Sequence, residues 1–113
     1  MANEIVHFEI MGADGAKTQA FYHDLFGWNV DANNEWNYGM VDKGETGIGG
    51  GVGSNPMGAA YVTIYVAVPD PQETLDKAVE LGAEVVMPVT VMPMVTMALF
   101  KDLDGNIMGI VKA

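Results

Sequence analysis

The feature that most limits the possible folds of this chain is an internal repeat of about 56 residues. Shifted by this amount, Asp14 aligns with Asp70, and Gly27 aligns with Gly82 after a one-residue slip. Both halves predict the same order of elements: a strand, a helix and three more strands. One such module is too small to bury its sheet alone, so the two are expected to pair.

The predicted fold class is therefore α+β, with two paired βαβββ modules at about residues 1–53 and 60–113 of one domain, 1–113. The modules are expected to form a curled mixed sheet, with the helices on its outer face and an open cleft on the other face.

Both helices carry clear end signals. Asp14 is a predicted N-cap, and Gly27 is a predicted end of the first helix. Asp70 followed by Pro71 predicts the start of the second helix, which Gly82 closes. The spacing of Phe21, Tyr22, Leu25 and Phe26 predicts an amphipathic first helix, and Leu75, Ala78 and Val79 are the predicted buried stripe of the second.

Alternation of residue types predicts the strands and their faces. Residues 5–10 place His7 and Glu9 on one face of a half-buried strand. Residues 35–41 form a predicted strand with Trp36, Tyr38 and Met40 on one side. In the second module, residues 61–68 place Tyr61, Thr63, Tyr65 and Ala67 on one face, and further strands are predicted at 84–87, 94–101 and 106–112.

The charge composition excludes several classes of partner. Fifteen acidic residues outweigh five basic ones, all of them lysine, and the formal net charge is −10. This charge repels nucleic acids and anionic membranes, so neither is an expected partner. The acidity has two readings, solubility or attraction of cationic ligands.

Cysteine usage and hydropathy narrow the possibilities further. The absence of cysteine excludes disulfides and thiolate chemistry. Neither a secretory signal nor a run of about 18 apolar residues is present, so a cytoplasmic location is expected.

Several motifs together resemble those of the vicinal oxygen chelate superfamily, which includes glyoxalase I, extradiol dioxygenases and bleomycin-resistance proteins. They are HFEI at 7–10, FYHDLFGW at 21–28, the helix at 70–83 and FKDLDGN at 100–106. Leu103 stands where the family usually has proline. The resemblance spans nearly the whole chain and implies a cup-shaped sheet, usually assembled as a homodimer.

The metal-using branches of this superfamily hold a divalent ion with four cleft-facing residues. Carried over by the resemblance, the positions fall on His7, the Gly49–Gly51 region, Thr63 and Gly109. Only His7 is a metal-ligating residue type, and a catalytic site needs about three protein ligands. We therefore expect neither a metal ion nor another cofactor.

The candidate ligand-binding residues are those predicted to face the cleft. His7 and Glu9 offer polar groups, and aromatic side chains are suited to planar ligands. Methionines adapt to varied apolar shapes, and a loop near residues 92–94 could cover the cleft. Hydrogen bonding within the sheet wall and ordinary core packing are the alternative roles. The full set is His7, Glu9, Trp36, Tyr38, Met40, Thr63, Tyr65, Met92 and Met94.

These observations favour a metal-independent protein that binds a small organic molecule, such as a planar aromatic or cationic antibiotic, and forms a homodimer. One alternative is an enzyme of the same superfamily, a lyase, isomerase or dioxygenase, either metal-assisted or using His7 and Glu9 as an acid–base pair. A dimeric domain without a ligand is the third possibility.

Overall fold

The computed structural model describes residues 2–55 and 58–113. The first module contains β1 (Ile5–Gly12), α1 (Gly15–Phe26), β2 (Val30–Asp31), β3 (Gly39–Val41) and β4 (Gly50–Ser54). The second module contains β5 (Tyr61–Val68), α2 (Pro71–Glu80), β6 (Glu84–Val91), β7 (Thr96–Lys101) and β8 (Ile107–Lys112). The predicted α+β class and the βαβββ order of both modules are confirmed.

The chain folds into two compact units whose limits differ slightly from those of the modules. One unit is His7–Val62, and the other is Thr63–Ala113 together with the described residues up to Val6. In the second of these units, the Ala67 N–H donates to the Glu4 carbonyl oxygen at 2.9 Å. The beginning of the chain is thereby hydrogen-bonded to β5.

Each unit contains one mixed four-stranded arrangement. In the His7–Val62 unit the strand order is β2-β3-β4-β1, with β1 and β4 parallel and the other pairs antiparallel. In the other unit the order is β5-β8-β7-β6, with β5 and β8 parallel. The parallel pairs require crossover connections, which α1 provides in the first unit and α2 in the second.

Helix α1 has the predicted ends, but most of its large apolar side chains are exposed. Asp14 Oδ1 accepts from the Lys17 N–H at 3.2 Å, and Gly27 adopts a left-handed conformation with φ 71°. Three of the apolar residues that indicated an amphipathic helix, Phe21, Leu25 and Phe26, are exposed. The buried helical residue is Gly15, which packs closely on β4. Gly15 lies against Ser54 of β4, whose Oγ accepts from the Gly15 N–H at 2.8 Å.

Helix α2 packs Leu75 into an aliphatic core, but Val79 is 47% exposed, so the predicted burial of Val79 is wrong. Asp70 Oδ1 accepts from the Glu73 N–H, and Pro71 occupies the first turn as predicted. Leu75 is only 3% exposed and packs with Val68, Ala98 and Ile110. Aliphatic side chains from α2, β5, β7 and β8 meet here, and their burial stabilises the unit through the hydrophobic effect.

The strand predicted over residues 35–41 is mostly a turn, and this correction affects Trp36. Asn34 Oδ1 accepts from the backbone N–H groups of both Trp36 and Tyr38, and Asn37 has a φ of 51°. These side-chain bonds compete with strand pairing, so β3 begins only at Gly39.

Among the described residues, neither helix has the length and hydropathy of a membrane-spanning segment.

Candidate functional site

The candidate site in the His7–Val62 unit is centred on the buried carboxylate of Glu9, which is 8% exposed. The Tyr38 hydroxyl donates to Glu9 Oε2 at 2.9 Å, and the Tyr61 hydroxyl donates to Oε1 at 3.1 Å. Hydrogen bonds to an ionised acceptor are stronger than neutral ones, so both phenols are held firmly against the carboxylate. We call His7, Glu9, Tyr38 and Tyr61 the Glu9 cluster.

His7 joins this cluster through Tyr38. His7 Nε2 lies 2.9 Å from the Tyr38 hydroxyl oxygen. A phenol has one proton, and Tyr38 donates it to Glu9, so His7 must donate to Tyr38 through an Nε2–H group. The neutral imidazole is consequently the Nε2–H tautomer, and its basic nitrogen is Nδ1.

The pKa shifts in the cluster follow from burial and from the charge of Glu9. Burial lowers the pKa of His7 below its usual 6.5, although the negative charge of Glu9 opposes this effect. Burial also raises the pKa of the Tyr61 phenol well above its usual range, and the charge of Glu9 and the hydrogen bond between them act in the same direction. At neutral pH, His7 and Tyr61 are therefore uncharged, and the negative charge of the cluster resides on Glu9.

Tyr38 reaches Glu9 because β4 carries no side chains at two positions. A β-carbon at Gly51 would overlap the Tyr38 hydroxyl, and one at Gly53 would lie 3.1 Å from the Tyr38 ring. Strand register places Gly51 opposite both Glu9 on β1 and Met40 on β3. The glycine-rich run of the sequence thus forms a flat surface on which the phenol lies.

The other side of the same strands carries an aromatic layer. The Phe8 ring covers Gly50, and its centroid lies 5.1 Å from that of Trp28. Trp28 also packs against Tyr22 and Phe26 of α1, with centroid separations of 5.4 and 5.2 Å. This layer fixes β1 against α1, and thereby supports the strand that carries His7 and Glu9.

The structure brings together some of the predicted site residues of this unit. His7, Glu9 and Tyr38 are directly hydrogen-bonded, and Met40 lies in the same cross-strand row as Glu9. Trp36 lies in the Asn34 turn and is 63% exposed. Tyr61 was not predicted as a site residue, although the alternation of residues 61–68 placed it on the same strand face as Tyr65.

The remaining predicted residues belong to the other unit. The Thr63 hydroxyl donates to the Ile107 carbonyl oxygen, and Tyr65 covers Gly109 so closely that a β-carbon there would overlap the ring. The Met92 N–H donates to the Val95 carbonyl oxygen in the turn between β6 and β7, and Met94 is 88% exposed in that turn. Their participation in binding stays a prediction.

The residues at the positions where the resemblance implies metal ligands are not suited to bind a divalent ion. Gly51 supplies no ligand, and its side-chain space is filled by the Tyr38 phenol. Gly109 is covered by Tyr65, and the Thr63 hydroxyl is already bonded to the backbone. Within residues 2–55 and 58–113, no three His, Asp or Glu side chains converge as a metal-binding group.

Open depressions occur on the sides of both helices. One is lined by the polar residues of α2, including Asp70, Glu73 and Asp76, and the other by α1 residues and Asn29. Neither includes a residue of the Glu9 cluster. Their lining consists of ordinary solvated helix residues, so we place the candidate site at the cluster.

Comparison with known proteins supports the resemblance seen in the sequence. Residues 4–44 match a family model described as bleomycin resistance protein-like N-terminal. A glyoxalase/bleomycin resistance protein/dioxygenase superfamily member from Vibrio splendidus 12B01 has a TM-score of 0.63 and 16% identity, covering 99% of this chain and 100% of that one. The chain has the fold of the vicinal oxygen chelate superfamily. The resemblance is confirmed.

Other solved structures with this fold include an epimerase and a hypothetical protein. Streptomyces coelicolor methylmalonyl-CoA epimerase, in complex with 2-nitronate-propionyl-CoA, has a TM-score of 0.64 and 15% identity, covering 100% of this chain and 99% of that one. The protein BH1468 from Bacillus halodurans C-125 has a TM-score of 0.69 and 13% identity, covering 100% and 96%. No curated protein sequence matches significantly. At these identities the similarity establishes the fold, and function must be argued from the site.

Proposed function

We propose that this protein binds a small organic molecule without a metal ion, and that the Glu9 cluster receives a positively charged group of that molecule. The observation that carries this proposal is a nearly buried carboxylate bound by two neutral phenols. Neutral donors stabilise the charge without cancelling it, and His7 is neutral at pH 7 because its pKa is lowered.

The surroundings support a ligand with an apolar part. Met40 is 46% exposed and shares the strand row of Glu9, and the Trp36 ring is exposed two residues before Tyr38. Aromatic and thioether groups contact planar molecules favourably. The overall charge of −10 would further raise the local concentration of cations.

The test is a charge series built on one ring system. Calorimetry would compare 1-naphthylmethylammonium, 1-naphthalenemethanol and 1-naphthoate as ligands. We expect the cation to bind most tightly, with affinity that decreases as salt increases. Glu9→Gln should remove the advantage of the cation over the alcohol, whereas Glu4→Gln, at an exposed position, should preserve it. Equal or tighter binding of naphthoate would contradict the proposal.

A second candidate function is acid–base catalysis without a cofactor. The hydrogen bonds from His7 to Tyr38 and from Tyr38 to Glu9 orient the imidazole. The carboxylate would stabilise the imidazolium formed when Nδ1 accepts a proton. Deuterium incorporation from solvent into methylmalonyl-CoA, the compound named for the epimerase relative, distinguishes this function. Exchange that exceeds the buffer rate and disappears in His7→Gln would favour the enzyme over the binder.

We also propose that the protein forms a homodimer. The resemblance implies pairing, and the exposed Phe21, Leu25 and Phe26 side chains of α1 give an apolar area that a second copy would cover. Sedimentation equilibrium should show about twice the chain mass of 12.1 kDa. A monomer at micromolar concentrations would contradict this part of the proposal.

A further inference from the structure

The Tyr61 oxygen has hydrogen-bonding capacity that the cluster does not use. Tyr61 donates its single proton to Glu9 Oε1, and its lone pairs are acceptors. In the part of the chain that the structure describes, no donor is bonded to this oxygen. Tyr61 is half-buried, so part of the side chain is accessible.

Tyr38 differs from Tyr61 in this respect. Its oxygen accepts from His7 and donates to Glu9, so it is engaged on both sides within the cluster. The two phenols therefore contribute differently. Tyr38 connects His7 to the carboxylate, whereas the Tyr61 hydroxyl donates its proton to Glu9 and keeps oxygen lone pairs that can accept a hydrogen bond from a ligand. The raised pKa of Tyr61 keeps that proton in place at alkaline pH.

Tyr61 Oη and Glu9 Oε1 lie 3.1 Å apart. Two oxygens at this separation can accept from two N–H groups of one nitrogen cation, because each N–H···O bond spans about 2.9 Å. A bond to the phenol alone would be modest, but a charged donor shared with a carboxylate is considerably stronger.

We propose that the Tyr61 and Glu9 oxygens select cations that carry N–H groups, such as primary ammonium or amidinium, over quaternary ammonium groups of the same charge. This inference rests on the proposed function and specifies its ligand class. A quaternary ammonium has no N–H group to donate, and its methyl groups would displace water from both oxygens without replacing the lost hydrogen bonds.

The experiment compares 1-naphthylmethylammonium with N,N,N-trimethyl-1-naphthylmethylammonium by calorimetry at constant ionic strength. We expect the wild-type protein to prefer the primary ammonium by about tenfold, the size of one charge-assisted hydrogen bond. Tyr61→Phe removes only the hydroxyl and should reduce this preference by weakening the primary ammonium alone, while the remaining N–H bond to Glu9 preserves part of it. Tyr22→Phe, a tyrosine of α1 outside the cluster, should retain the full preference.

The outcomes separate this inference from the proposed function. If both cations bind more tightly than 1-naphthalenemethanol but equally to each other, the N–H selection is wrong and the cationic site stands. If neither cation binds better than the alcohol, both proposals are wrong. A Tyr61→Phe variant that weakens both cations equally would show that Tyr61 has only a structural role. The preference measured in the wild-type protein tests the inference even if a variant fails to fold.

Discussion

The two modules share one order of elements but use the inner positions of their first strands in opposite ways. In the first module, His7 and Glu9 form an ionisable, hydrogen-bonded cluster with two phenols. The aligned residues of the second module are Thr63 and Tyr65, which are 4% and 5% exposed. Thr63 bonds to the backbone and Tyr65 covers a glycine, so neither position carries a charge.

The two helices also differ, and the apolar side chain that is better buried belongs to the helix of the second module. Helix α2 places Leu75 in a well-packed aliphatic core, whereas α1 leaves three large apolar side chains exposed above a glycine-rich strand. A module that supplies the core can tolerate little change in side-chain volume. In the first module, Gly51 and Gly53 leave room on one face of β4 for the phenol of the polar cluster. The comparison indicates that the aliphatic core around Leu75 and the polar Glu9 cluster lie in different modules.

The largest effect is expected from the two helical leucines. Leu75→Ala should lower the free energy of unfolding by about 3 kcal/mol, because it removes a fully buried side chain and leaves a cavity. Leu25→Ala, on the exposed side of α1, should cost less than about 1 kcal/mol. Urea denaturation of both variants measures the difference. Similar losses would contradict the assignment of the core to the second module, and a loss in Leu25→Ala that depends on protein concentration would indicate a dimer contact.

A smaller effect is expected from the glycine surface beneath Tyr38. Gly51→Ala should destabilise the protein by about 1–3 kcal/mol, because the new methyl group overlaps the phenol. In a Tyr38→Ala background the same change should cost much less, since the overlapping ring is absent. Gly47→Ala, where a β-carbon meets no atom within 4 Å, is the matched control. Additive losses in the double variant would show that Tyr38 does not lie on Gly51.

The smallest effect is expected for the pH dependence of stability, which His7 contributes in the first module and the aligned Thr63 of the second module does not. The folded pKa of His7 is below 6.5, so the unfolded chain takes up the proton first as the pH falls. The contribution of His7 to stability is therefore complete above pH 6.5 and is lost as the pH falls through the folded pKa. Unfolding free energies at about pH 7.5 and about pH 5 should show a decrease that is smaller in His7→Gln. His23→Gln, at an exposed helical position, should retain the full decrease; an unchanged pH dependence in His7→Gln would contradict the burial of the imidazole.

The sequence by itself determined the features that depend on neighbouring residues. The helix ends at Asp14, Gly27 and Asp70 are set by side-chain and backbone hydrogen bonds within a few positions. The common face of His7 and Glu9 follows from strand alternation, and the repeat indicated two βαβββ modules. These are local or periodic properties, which a single chain displays without knowledge of its partners.

Only the tertiary structure decided how these parts meet. Tyr38 and Tyr61 lie 29 and 52 residues from Glu9 along the chain, and their convergence on one carboxylate depends on strand order and register. The exposure of Phe21, Leu25 and Phe26 likewise depends on how α1 packs in the folded unit. A helical stripe predicts an apolar face but not its partner, because burial is a property of two surfaces. The polar cluster forms because Gly51 and Gly53 have no side chains, and the turn before β3 places the Tyr38 phenol in the space beside them.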